Sequence, residues 1–214
     1  MSMPAEHRDL TAELTLGESG RVWEGLVTTR NADGSTNVAP MGPIAGPAFD
    51  FLLLRPYAAS RTCANLERMP RGVFQLTDDV EALAAAVVKP ADWAPKLVPI
   101  EQFDVPRLAD CCRWYAFELV WFDVAPERTT ALARVVDHGA VRDCCGFNRA
   151  KHAVLEAAIL ATRVGILPTD EIVAEFDRLA VIVRKTGAAA ELQAFAVLER
   201  FVAAAGGALT ETAP

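Results

Sequence analysis

The chain has 214 residues, 52% of them hydrophobic, so it can bury a core and is not globally disordered. Its 21 Lys and Arg against 28 Asp and Glu leave a net charge of -7. That balance disfavours a nucleic-acid backbone or an anionic membrane surface as partner, because both select a cationic surplus. No apolar run reaches the ~18 residues of a membrane span. The polar start, Met1 to Thr11, has no apolar signal-peptide core, so the expected location is cytoplasmic.

In chain order, Val22 to Arg30 is the first strand, rich in β-branched and aromatic residues. Asn31-Ala32-Asp33-Gly34 reads as a hairpin loop, and Ser35 to Met41 as the return strand. Pro40 cannot donate to a ladder, which predicts an edge or a bulge there. After a Gly/Pro loop from Gly42 to Pro47, Ala48 to Leu54 is a buried strand. Ser60 to Met69 is a short helix with Ser60 as N-cap. Gly72 to Thr77 is a strand, and Asp78-Asp79 open a helix through Val88. Residues 89–112, with four prolines, read as irregular with one helical turn. Arg113 to Val124 and Arg128 to Val136 are paired strands. Beyond Gly146 the pattern turns helical: Asn148 to Gly165, Pro168 to Lys185, and Ala189 to Ala205. The expected division is a β-rich domain over 12–145 and a helical bundle over 146–206, with flexible termini at 1–11 and 207–214.

Three segments carry candidate chemistry. Ser60-Arg61-Thr62 puts two hydroxyls and a guanidinium in the first turn of a helix, where free N–H groups and the dipole favour an anion such as a phosphate. The same triplet also reads as an ordinary cap followed by a solvated Arg. Thr28-Thr29-Arg30 goes with Asn37, Val38, Ala39, Pro40 and Met41, a stretch that is polar, then rigid, then followed by Gly42. Such a segment lets backbone groups approach a flat heteroaromatic ring, or is simply a bulged edge strand. Arg55 and Tyr57 end a buried strand as a second anion ligand and a stacking ring, or as an ion-pair partner and a core aromatic. Asn65, Gln75 and Thr77 complete the set. The cysteines (Cys63, Cys111, Cys112, Cys144, Cys145) lack the two-residue gap of a zinc knuckle or redox motif and read as free thiols. The three histidines do not pair, so no metal site is expected. There is no dinucleotide fingerprint, Walker loop, zincin motif or nucleophile elbow.

In combination these residues resemble a known family. Trp23-Glu24-Gly25 to Thr29, Asn37-x-Ala39-Pro40-Met41-Gly42, Arg55-Pro56-Tyr57, and Ser60-x-Thr62-x-x-Asn65 keep its order and spacing. So do Val73 to Asp79 and Phe147-Asn148-Arg149-Ala150-Lys151. The chain is similar, over about residues 20–205, to the prokaryotic domain-of-unknown-function family 447. That resemblance implies an α+β fold, an FMN-binding split β-barrel of the flavin-reductase and pyridoxamine-phosphate oxidase type, with a C-terminal helical subdomain. It further implies FMN as cofactor, with Ser60 and Thr62 at its phosphate, and a homodimer with flavin at or near the interface. Asn148 and Arg149, at a helix start, are expected either to meet the flavin or to serve as a cap with a solvated cation. The expected function is an FMN-dependent oxidoreductase acting on a small-molecule redox substrate. The alternatives are a non-catalytic flavin carrier or sensor, and a ligand-free dimeric scaffold. Relatives in organisms that use tetrahydromethanopterin also admit a pterin-linked role.

Overall fold

A computed structural model of the chain describes residues 14, 20–124, 129–144 and 148–211, with side chains through 205. The expected flexible start (1–11), Arg128, Cys145, Phe147 and the last three residues lie outside the described residues. The described chain falls into two compact units: residues 20–77 with 96–143, and residues 78–95 with 144 onward. The helical unit thus draws Asp78–Pro95 from within the span that the sequence places in the β-rich domain.

The first unit is built on an eight-stranded sheet. Its strands are β1 (Arg21–Val22), β2 (Gly25–Arg30), β3 (Thr36–Met41), β4 (Ile44–Ala45), β5 (Phe51–Leu54), β6 (Arg71–Leu76), β9 (Arg113–Asp123) and β10 (Thr130–Ala140). One helix, α1 (Arg61–Arg68), and a separate hairpin of β7 (Leu97–Ile100) and β8 (Phe103–Leu108) complete it. The sheet order is β1-β4-β5-β10-β9-β6-β2-β3, with antiparallel neighbours. It is a curled, open sheet of the split-barrel kind, as the resemblance implies. β3 is an edge strand, which is how Pro40 is tolerated. The β2–β3 turn follows its sequence signal: Asn31 N–H donates to Ser35 C=O at 2.8 Å, and Gly34 takes φ +84°. The first strand is interrupted at Trp23-Glu24. Just after the break, Gly25 lies so close to β6 that a Cβ would sit 2.3 Å from the Gln75 carbonyl oxygen.

Strand alternation sorts side chains to two faces. Val27, Leu52, Leu54, Phe74, Tyr115, Phe117, Ala131 and Ala133 form the main core, with Phe49 and Leu66. Val73, Ala116, Ile100 and Val105 form a second core on the other face, beneath the β7–β8 hairpin. That hairpin corrects the reading of 89–112 as irregular. Its turn, Glu101-Gln102, offers no Gly or Asn, and Gln102 itself takes φ +57°. Pro99 and Pro106 also depress the strand signal, yet both are tolerated because this sheet has only two strands. β10 also runs further than expected, to Ala140, held against β9 through register shifts at Leu132/Ala133 and Val135/Asp137.

The second unit contains α2 (Val80–Val88), α3 (Arg149–Ala161), α4 (Thr169–Thr186) and α5 (Ala189–Glu211). The last three are the expected C-terminal helices, and α5 extends past its predicted end. α2 packs against α3 and α5. Alanines 150, 153, 157, 158 and 161 are buried along α3 and let its neighbours approach closely, while Phe176 and Phe195 meet at 5.5 Å. Lys151 binds this unit together: its Nζ donates to the Asp78 carbonyl at 2.8 Å and faces the carboxylates of Asp78 at 3.7 Å and Glu191 at 3.9 Å.

Candidate functional site

The first turn of α1 is the centre of the candidate site. Ser60 is its N-cap: the side-chain oxygen accepts from Cys63 N–H at 3.1 Å, and Ser60 N–H donates to Tyr57 C=O at 2.9 Å. The backbone N–H groups of Arg61 and Thr62 have no partner among the described residues, as expected for a helix start. Arg61 is exposed and Tyr57 is 42% exposed beside it, whereas Arg55, one residue past β5, is half-buried. Ser60 retains its hydroxyl proton for donation. The turn therefore presents two amide donors, a hydroxyl donor and a guanidinium, a set matched to one phosphate-sized anion.

Behind this turn lies a buried polar cluster that fixes α1 to the β2–β3 hairpin. Asn37 Nδ2 donates to Thr29 Oγ1 at 3.3 Å and to Thr62 Oγ1 at 3.2 Å. Asn65 Nδ2 donates to Thr29 Oγ1 at 3.0 Å and to Asn31 Oδ1 at 2.8 Å. Thr29, Asn37, Thr62 and Asn65 are all buried. The structure thus brings three expected residues, Asn37, Thr62 and Asn65, together with Ser60 and Arg61. It adds Thr29, which the sequence places in the candidate segment Thr28-Thr29-Arg30 without singling it out. Parity decides between the two threonines: Thr29 pairs with Asn37 across the hairpin, so the two share a face, and Thr28 does not.

Thr28 and Gln75 face the other way. Thr28 Oγ1 donates to Pro106 C=O at 2.6 Å. Gln75 accepts from Leu108 N–H at 2.6 Å through Oε1 and donates to Val73 C=O at 2.8 Å through Nε2. Both side chains are fully buried and hold β8 against the sheet, so the structure separates them from the α1 turn. Val38 shares that face with its partner Thr28, while Ala39 and Met41 pack on the main core and Pro40 lies half-buried on the edge strand. Thr77 is half-buried just past β6. Asn148 and Arg149 belong to the helical unit. Asn148 caps α3 by accepting from Lys151 N–H at 3.0 Å and donates to Thr186 C=O at 3.2 Å, and Arg149 is exposed.

At the other end of β3 is a stack of aromatic rings. Phe49 lies over Tyr115 with centroids 4.4 Å apart and planes 10° from parallel, and Trp23 approaches Phe49 at 5.1 Å and 53°. Phe49 takes φ +58°, a conformation that costs a bulky L-residue on the order of 1–2 kcal/mol. Burial raises the Tyr115 hydroxyl above its usual pKa. Elsewhere in the unit, burial drives the Cys111 thiol up to about 11, with Arg107 opposing, whereas Arg142 donates to Cys112 Sγ at 3.5 Å.

Comparison with known proteins places this arrangement. The family described as protein of unknown function DUF447 matches in two parts, its N-terminal domain over residues 23–142 and its remainder over 148–200. The chain belongs to the DUF447 family. Among solved structures, an FMN-bound DUF447 protein from Methanosarcina mazei is 20% identical, with a TM-score of 0.73 over 90% of this chain and 100% of that one. The 2-nitrobenzoate 2-nitroreductase of Pseudomonas fluorescens is 19% identical, with a TM-score of 0.47 over 65% of this chain and 73% of its own. The styrene monooxygenase flavin reductase of Pseudomonas putida is 13% identical, with a TM-score of 0.48 over 56% and 82%. A search of curated proteins finds no match. The likeness to the Methanosarcina protein shows that this DUF447 chain has the fold on which that relative carries FMN. The α1 turn fits the phosphate of such a group by its donors: two free amides, one hydroxyl and one exposed guanidinium.

Proposed function

We propose that this protein binds FMN in its β-rich unit and acts as a flavin-dependent oxidoreductase. The observation that carries the reading is the donor set at the start of α1, on a fold shared with an FMN-bound family member. Ser60, Arg61 and the N–H groups of Arg61 and Thr62 would hold the phosphate. The Thr62 side chain is buried in the cluster with Asn37 and Thr29, so its amide is the group it would offer. Backbone groups of Asn37 to Met41, on an edge strand, would meet the ring, and Arg55 and Tyr57, just past β5, would flank the phosphate. When bound, the flavin supplies hydride or electron transfer, and the chain contributes binding, orientation and electrostatics.

The proposal includes a homodimer. An open sheet ending in β3 leaves a bound ring with one uncovered face, which a second copy would close. Mass spectrometry of cofactor released from the purified protein tests the flavin: FMN is expected, and FAD, haem or an empty protein after flavin supplementation would reject it. Arg61→Ala should weaken FMN binding by about ten- to a hundredfold, the loss of a charge-assisted contact of roughly 1.5–3 kcal/mol. Steady turnover of a reduced nicotinamide is the result expected of an oxidoreductase; bound flavin without turnover would indicate a carrier or sensor.

A further inference from the structure

We propose that the space now filled by the Phe49 ring, between Trp23 and Tyr115, is a binding slot for a flat aromatic ring that carries a hydrogen-bond acceptor. Phe49 would be its displaceable occupant. Independent observations converge here. Phe49 meets two aromatic rings: it lies nearly parallel to Tyr115, at 4.4 Å and 10°, as an inserted planar ligand would, and Trp23 approaches it tilted, at 5.1 Å and 53°. Phe49 reaches this position only by adopting φ +58°, which an L-aromatic disfavours.

The segment that carries it lies at the surface, held by Phe49 N–H to Gly46 C=O at 3.2 Å and by Val135 N–H to Asp50 C=O at 2.9 Å. Pro47, Ala48 and Asp50 are exposed, and a Cβ added at Gly46 would meet nothing within 4 Å. Lastly, the Trp23 indole Nε1 is buried and donates to nothing among the described residues. A phenyl ring offers that N–H no lone pair, whereas a ring bearing a carbonyl does. A ligand of this class would restore the stacking on Tyr115, satisfy the Trp23 donor and release Phe49 from its strained backbone. Apparent affinity is lowered by the fraction of molecules in which Phe49 fills the slot. None of the slot residues belongs to the α1 phosphate turn, so the inference stands apart from the flavin reading.

The test is calorimetric titration of the full chain, as purified and after flavin removal, with benzamide and with cyclohexanecarboxamide, which share the acceptor and differ in the ring. Benzamide should bind about fivefold or more tightly than its saturated counterpart in both preparations. Phe49→Ala should raise benzamide affinity about tenfold, and Trp23→Phe, which keeps an aromatic wall and removes the donor, should lower it several-fold. Equal binding of the two amides would overturn the slot, as would a folded Phe49→Ala with unchanged affinity. Benzamide binding seen only with flavin present would place the ring on the flavin and equally overturn it. If Phe49→Ala does not fold, Trp23→Phe decides: unchanged affinity there rejects the proposal.

Discussion

Thr28 and Thr29 are adjacent and chemically identical, yet they serve opposite faces of one sheet. Thr28 holds β8, and Thr29 anchors α1 through Asn37 and Asn65. Gln75 works with Thr28, so Gln75→Leu should destabilise the fold by about 1–3 kcal/mol, since it orphans the buried Leu108 N–H. Flavin affinity should be unchanged once folding is corrected for; a large selective loss of FMN binding, read by fluorescence titration, would instead return Gln75 to the site. Cys111 makes a separate prediction. Its folded pKa, about 11, lies above the usual 9.0, so the neutral thiol is favoured in the native state. That stabilisation is complete below about pH 9 and is lost as pH rises through about 11. Denaturation midpoints measured from pH 8 to 11 should fall, and Cys111→Ala should flatten the fall.

At the scale of elements, caps and clamps matter more than propensity. Asn148 closes the start of α3 and also reaches the last residue of α4. Asn148→Ala should therefore cost about 1–2 kcal/mol of stability in the helical unit, measurable by urea unfolding followed by circular dichroism. No change would mean that water replaces both bonds. The β7–β8 hairpin shows the opposite economy: its outer residues are exposed, and it is held by side chains of β2 and β6 reaching its backbone. Arg30 joins Thr28 and Gln75 there by donating to Asp104 C=O. The Asp33-Gly34 turn was legible because its residues supply the required backbone angles themselves. The Glu101-Gln102 turn was not, because Gln102 takes a positive φ that its residue type does not announce, in a two-residue turn whose hairpin is packed through Ile100 and Val105 on Val73 and Ala116.

For the molecule as a whole, the flavin reading predicts a linked stability gain. FMN in excess should raise the melting temperature, by the equivalent of ~2.7 kcal/mol at a hundred times its dissociation constant. A melting curve indifferent to FMN would contradict specific binding. Light scattering at low micromolar concentration tests the proposed dimer, and a monomer that binds FMN tightly would show that the site is complete in one chain.

By itself the sequence determined the strands and helices with strong periodic or turn signals, the choice of an edge or a bulge at Pro40, the Ser60, Asp79 and Asn148 starts, and the family. Each of these depends on residues close in the chain, or on spacing that one sequence displays. Tertiary structure alone decided that Thr28 and Gln75 turn away from α1 while Thr29, Asn37, Thr62 and Asn65 converge behind it. It also decided that α2 packs with helices far along the chain, and that Phe49 fills the space between Trp23 and Tyr115. The reason is physical: strand parity sets which residues share a face, but which face meets which partner depends on contacts between segments distant in sequence, and those exist only once the sheet has curled.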